Sequence, residues 1–358
     1  MYQDALTVFI EAMAGDDAEL NPIILNEITS TSVLQASAQE IDLDIEDNDM
    51  DEDINDHTPP IIKMFPQNDP NKVTFKDIGG LTELKQTIDM KIIKPFQHPE
   101  MFARFKKKSG GGIMLYGPPG CGKTFISKAT AGECSAYFRS VGLTDVLSPY
   151  MGVSEENLSN IFSTARKRKP CVLFFDELDT LGFNRAKSAS GTTRSVVNQL
   201  LVELEGIDTD TDKLLVIGAT NMPWDVDEAL RRPGRFDRAI FVYPPDIEAR
   251  EEIFKLKLSG RPIDTIDYSI LAANSEFFSG ADIEYVVEVA AEKVLEEIVI
   301  TGNSNLKITM KVLLEVMSGS KPSTLGWLKT ISTYVKYANQ TGYYNDVEDY
   351  LRDNKMRY

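Results

Sequence analysis

Histidine is nearly absent from this 358-residue chain, which has only His57 and His98. Neither opens an H-E-x-x-H pattern, so a zinc-protease helix of that kind is excluded. Cysteine is also sparse. Cys121, Cys134 and Cys171 are odd in number and lack metal-ligand spacing. They make neither a disulfide framework nor a zinc site, and they fit a reducing, cytoplasmic setting. No apolar run approaches the ~20 residues of a membrane span. The first residues lack the basic-then-apolar pattern of a secretory leader. Lysine and arginine are missing altogether from residues 1–60, which hold 16 Asp and Glu. The other residues carry 39 acidic and 38 basic side chains, so the net charge of −17 belongs to the N-terminal stretch. A basic stripe of the kind that binds nucleic acid is not evident.

The texture of the sequence divides it into five parts. Residues 1–36 place Tyr2, Ala5, Phe9 and Ala12 on one helical face. This segment reads either as a remnant of a tetratricopeptide-like repeat or as a lone amphipathic helix. Residues 37–70 are too acidic to pack and read as a disordered linker. Residues 71–245 contain five short apolar runs: Gly112–Tyr116, Ala136–Val141, Val172–Asp176, Leu214–Thr220 and Ala239–Val242. Helical patterns separate most of them, which predicts an α/β domain with a parallel sheet. Residues 246–320 show helical patterns at Ile247–Leu258, Tyr268–Ser275 and Ala281–Thr301 and no convincing strand. They read as a smaller all-α domain. Residues 321–358 carry Trp327, Ile331, Tyr334, Val335 and Ala338 at helical spacing.

The first apolar run leads into Gly117-Pro118-Pro119-Gly120-Cys121-Gly122-Lys123-Thr124, which fits the phosphate-cradling pattern G-x-x-x-x-G-K-[ST]. Its glycines let backbone N–H groups face phosphate oxygens. Lys123 supplies a charge for the β- and γ-phosphates, and the Thr124 hydroxyl suits Mg²⁺. Phe125 opens the helix that follows. A thiol at Cys121 beside bound phosphates is either oxidation-sensitive or an inert side chain pointing away. The run ending at Phe175 delivers two carboxylates, Asp176 and Glu177. Asp176 suits the Mg²⁺ shell and Glu177 suits activation of the attacking water. Asn221, at the tip of the next strand, fits either a γ-phosphate contact or a turn cap. The stretch Ala229–Arg238 then packs Arg231, Arg232, Arg235 and Arg238 into eight residues. Guanidinium groups of this kind, supplied by a neighbouring subunit, stabilise phosphoryl-transfer charge.

Together these motifs resemble the AAA family of ATPases, from about Val73 to the C-terminus. The chain looks most like stand-alone bacterial AAA proteins related to the katanin–spastin and Cdc48-type clade. The resemblance implies a phosphate-loop NTPase sheet of order 5-1-4-3-2 with a smaller helical lid, and ATP and Mg²⁺ as ligands. It implies that Asp77, Gly79 and Gly80 lie against the adenine and that Pro119, Gly120, Cys121, Gly122, Lys123, Thr124 and Phe125 embrace the phosphates. It also implies that Asn221 is a sensor, and that Gly280 and Ala281 bring the lid to the nucleotide. Arg235 and Arg238 match arginine fingers that reach a neighbour's γ-phosphate, which implies a ring, usually a homohexamer. Lys257 stands where many relatives carry a His near the ribose. Tyr150, Met151 and Gly152 match a loop that faces the ring's pore and grips a protein substrate; the plainer reading of Tyr150 is an ordinary surface tyrosine. Asn184–Thr193 matches a second pore loop. The implied function is ATP-driven remodelling of a protein substrate. A nucleotide-controlled assembly scaffold is the alternative, and the neutral body disfavours a nucleic-acid motor.

Overall fold

The computed structural model describes residues 72–106, 111–148, 150, 152–181, 191–206, 213–339 and 342–356. These all lie in the compact unit running from Pro59 to Tyr358. The N-terminal helical segment, the acidic linker, most of the second pore loop and Met151 lie outside them.

Five parallel strands form one sheet: β1 (Gly111–Tyr116), β2 (Tyr137–Val141), β3 (Cys171–Phe175), β4 (Leu214–Thr220) and β5 (Arg238–Phe241). Their order is β2-β3-β4-β1-β5, the order that the family resemblance implies. Four strands differ from their apolar runs by a residue: β1 begins at Gly111, Ala136 stays outside β2, and β3 and β5 each lie one residue earlier, so Asp176 sits just beyond the end of β3.

Every residue of β1, β3 and β4 is buried. Both faces of a parallel sheet are covered by helices, so its strands are continuously apolar rather than alternating. The alternation appears instead in which core each side chain enters. Ile113, Leu115, Val172, Phe174, Leu215 and Ile217 join one core with helix α1 (Lys123–Glu133). Met114, Leu173, Phe175 and Val216 join the other, with α2 (Val153–Lys167) and α3 (Gly191–Glu205).

After β5 the described chain is helical, with α4 (Ile247–Leu258), α5 (Tyr268–Asn274), α6 (Gly280–Thr301) and α7 (Met310–Gly319) around a third core. A single parallel bridge between Ile263 and Ile308 is the nearest thing to a strand there. Two more helices, α8 (Thr324–Ala338) and α9 (Asn345–Asp353), return to the sheet. They bury Trp327, Leu328, Ile331 and Val347 against Tyr116 of β1 and Phe241 of β5. No helix among the described residues is long and apolar enough to cross a membrane.

The chain leaves β1 for the far edge of the sheet and later adds β5 on β1's other side. A crevice forms at the carboxyl ends of the strands where the order reverses, and ligands bind there in open α/β sheets. Phe174 is fully buried between the layers, its ring 5.9 Å from Phe138. Phe174→Ala is expected to cost about 3–5 kcal/mol of folding stability, measured by urea denaturation; a cost below about 1 kcal/mol would place the core elsewhere.

Candidate functional site

The crevice holds a cavity of about 1100 Å³. Its wall brings together residues far apart in sequence: Asp77, Gly79, Pro119–Phe125, Asp176, Glu177, Asn221, Lys257, Gly280 and Ala281. Five of the expected positions are placed elsewhere. Gly80 packs beside the cavity, Arg235 and Arg238 lie behind it, and Tyr150 and Gly152 occupy a separate surface loop. A second cavity, about 720 Å³, has Tyr243 and Tyr350 on its wall with Asp246, Glu276, Asp346 and Asp349, and contains none of the expected nucleotide residues.

The phosphate loop joins β1 to α1. Gly122 caps α1 with φ 81°, a left-handed conformation that glycine adopts without strain. Gly120 is left-handed too, at φ 73°. A Cβ there would lie 2.8 Å from both the Ala281 Cβ and the Ser279 Oγ. Sequence alone read Gly120 as phosphate-facing; the fold adds that it is where the lid closes on the loop. The N-terminus of α1 presents free N–H groups and the positive end of the helix dipole to the cavity, a good setting for phosphate.

Lys123 is buried and donates to the carbonyls of Gly117 (3.0 Å) and Pro118 (2.8 Å). Burial lowers its ammonium from an ordinary 10.5 to about 8, partly opposed by the Asp176 and Asp179 carboxylates. Thr124 Oγ1 donates to Asp176 Oδ2 at 3.1 Å, so the expected hydroxyl and carboxylate meet at one point of the wall. Burial pushes the Cys121 thiol up to about 12, which keeps it protonated. This agrees with the inert reading of that side chain.

Glu177 follows with φ 49°, in the left-handed region, and its side chain is exposed to the cavity. Its N–H bonds to Asp176 Oδ1 at 3.0 Å. Strained backbone at a non-glycine residue clusters at functional sites. Asn221 lines the same wall, and its Oδ1 is buried with no hydrogen-bond partner among the described residues. A turn cap would have satisfied that oxygen through a nearby N–H. The turn is instead tied by Thr220, whose Oγ1 accepts from Met222 N at 2.9 Å and donates to the buried Asp179 at 2.6 Å.

The lid side was less visible in the sequence. Ile253, Leu256 and Ala249 of α4 supply an apolar wall. A Cβ at Gly79 would meet the Glu252 Cβ at 2.3 Å, so the approach of this turn to α4 needs glycine. Gly80 does not line the cavity; its φ is 54° and a Cβ there would strike Asp246 and Ala249. Asp246 was not singled out from sequence. It caps α4 at Ala249 N (2.7 Å) and also accepts from Leu81 N (2.8 Å), joining the Gly79–Gly80 turn to the lid. Lys257 pairs with Glu284 across the cavity rim, linking α4 to α6.

Arg238 is level with Ile113 in the sheet, four residues before Gly117. At strand rise that is about 13 Å behind the loop. Its Nη1 donates to Lys91 O at 2.8 Å. Arg235 bonds to Ala229 O and Glu205. Neither reaches its own cavity. Tyr150 is 74% exposed, and Gly152, the N-cap of α2, has φ 86° with open space where a Cβ would lie.

Residues 113–244 match the family described as "ATPase family associated with various cellular activities (AAA)". The chain carries an ATPase domain of the AAA family. Two relatives extend the likeness beyond that span. The "Cell division cycle protein 48 homolog" of Archaeoglobus fulgidus is 42% identical over 265 residues, 71% of this chain and 36% of that protein. The "Putative cell division cycle ATPase" of Plasmodium falciparum is 39% identical over 227 residues, 63% of this chain and 18% of that protein. The chain spans well under half the length of either relative.

The residues of the AAA domain fit Mg·ATP. Thr124 and Asp176 offer one hydroxyl and one carboxylate, and Mg²⁺ is commonly held by so few protein ligands together with phosphate oxygens. Glycines keep the loop free of side chains where phosphates would lie. Lys123 yields a pH signature. Its ammonium is disfavoured in the folded chain, while the unfolded chain holds that proton up to about 10.4. Between about pH 8 and 10.4 the unfolded state therefore binds more protons, and stability rises with pH. The nucleotide-free protein is expected to gain stability over Lys123→Met across that window in urea titrations. A pH-independent difference would contradict a buried Lys123.

Proposed function

We propose that the AAA domain hydrolyses ATP in this cavity, and that a ring of identical subunits, a homohexamer, uses the cycle to remodel a protein substrate. The observation carrying this reading is the shared wall. The phosphate loop, Asp176, Glu177 and Asn221 all border one cavity.

In this reading the Ala249–Leu256 face of α4 and the Asp77–Gly79 turn hold the base. The α1 N-terminus and Lys123 hold the phosphate tail, with Lys123 exchanging the Gly117 and Pro118 carbonyls for phosphate oxygens. Thr124 and Asp176 are the residues that would hold Mg²⁺, which when bound neutralises charge on the phosphates. Glu177 accepts the proton of the attacking water, and Asn221 orients that water or the γ-phosphate. These donors are built into rigid strand ends, so little reorganisation is needed as charge develops.

The arginines favour a ring. Arg238 lies some four residues of strand behind its own loop and Arg235 precedes it in the chain; neither lines its own cavity, which favours a nucleotide held by another subunit. Arg235 must leave Ala229 and Glu205 to do so. Tyr150, exposed on its surface loop, is suited to gripping an extended chain through its ring. The residues of this loop and the arginines make the remodelling reading more apt than a static scaffold. The Plasmodium falciparum relative is named a putative cell division cycle ATPase, which agrees with an energy-consuming role.

Glu177→Gln is expected to bind ATP with unchanged affinity and to lose about 10²–10⁴-fold in kcat; turnover within threefold of the unmodified chain removes Glu177 from this role. Arg235→Ala is expected to keep nucleotide affinity and lose at least about 10²-fold in kcat. Mixing it with Glu177→Gln should restore partial turnover, because each variant keeps what the other lacks at a shared interface. Failure of the mixture to exceed the separate rates argues against arginines acting between subunits.

A further inference from the structure

The C-terminal helix α8 does more than cover the sheet edge. Trp327 is its most telling residue. The indole Nε1 donates to the main-chain oxygen of Asn221 at 2.5 Å. The indole stacks on Phe241 at 5.8 Å and 9°, and lies 6.1 Å from Trp224. Trp224 in turn stacks on Tyr334 of the same helix at 4.8 Å and 7°. The turn from Asn221 to Trp224 is thus gripped from outside by α8. From inside it is fixed by Thr220 and the buried Asp179. Between these two grips Asn221 lines the cavity, with its Oδ1 buried and without a partner among the described residues.

The start of the same helix touches the other side of the cavity. Ser323, at its N-cap position, donates from Oγ (2.8 Å) and from N (3.1 Å) to Asp282 Oδ2. Asp282 completes the capping box of α6 with Ser279, whose Oγ faces Gly120 of the phosphate loop. One helix therefore braces both the turn that carries Asn221 and the cap that carries Gly280 and Ala281.

We propose that Trp327 is a positioning residue of the nucleotide site, holding the Asn221 main chain through its indole N–H so that the Asn221 amide faces the Asp176–Glu177 end of the cavity. This rests on the reading of the cavity as the ATP site. An aromatic ring without the N–H would keep most of the stack and free the carbonyl of Asn221. The turn then gains freedom, and the amide is aimed for a smaller fraction of the time. Ground-state binding of nucleotide has many other contacts, so the effect falls on turnover.

The test compares Trp327→Phe, Asn221→Ala and the double variant in the full chain. Trp327→Phe is expected to keep its melting temperature, its affinity for a fluorescent ATP analogue and its KM within about twofold. Its kcat should fall about tenfold, the scale of one hydrogen bond. In the Asn221→Ala background the same change should have no further effect, since the residue it aims is gone. An undiminished kcat, or losses that multiply in the double variant, overturns the proposal. Replacing the Trp327 indole by benzothiophene, in a Trp224→Phe chain, removes only the N–H and covers the case in which the Trp327→Phe variant does not fold. A tenfold loss supports the proposal there and full activity overturns it. Absence of turnover in the unmodified chain would overturn the hydrolase reading alone. The positioning role is then read from the ratio of affinities for ATPγS and ADP, which should fall alike in Trp327→Phe and Asn221→Ala; an unchanged ratio in Trp327→Phe overturns it.

Discussion

The site depends on one close approach. At Gly120 the phosphate loop and the cap of α6 come so near that a single methyl group would collide with Ser279 and Ala281. The loop hangs from β1, whose every residue is buried, and the cap begins the longest helix of the lid. Contact at this point makes the two cores share a boundary made of small side chains and backbone. A cavity wall results that is part sheet, part lid. A shift of the lid at this point would bear directly on the loop of residues 117–124. The second glycine contact, Gly79 against Glu252, repeats the arrangement on the opposite wall. Gly120 at the cap of α6, and Gly79 and Gly80 against α4, are thus places where glycine leaves room for the lid to approach closely.

Much of this was legible in the sequence because the signals are local. Leu214–Thr220 reads as a strand because seven successive residues tolerate burial on both faces. The loop reads as a phosphate cradle because glycine, lysine and threonine fall at fixed offsets within eight residues. Ile247–Leu258 has the bounds expected of it, capped by Asp246. What escaped has partners distant in the chain. The Trp327–Asn221 bond spans 106 residues and the Leu81–Asp246 bond 165. No periodicity or offset encodes such pairs; they exist only once the sheet order brings their elements together. Asn221 illustrates the boundary. Its residue type allowed a cap or a sensor; the fold adds that its buried Oδ1 has no partner among the described residues and that the residue shares a cavity wall with Glu177.

Charge is arranged with similar economy. Arg235 and Arg238 are held within their own chain by carbonyls and a carboxylate, so an isolated subunit does not expose them as loose cations. Glu177 is the reverse case, an exposed carboxylate on a strained backbone at the end of a rigid strand. Strain of this kind persists only where surrounding structure over-determines the backbone. Here β3 and the buried Leu178 on either side provide that constraint.

The three cysteines carry a practical consequence. All are buried, and burial pushes each thiol up to about 12, so none is a nucleophile near neutral pH. The native chain is therefore already a silent background for maleimide chemistry. A cysteine introduced on the Tyr150 loop or on the outer face of α8 would take a dye or spin label at that position alone. Distances from that position can then be followed as nucleotide is added without first stripping the protein of its own sulfur.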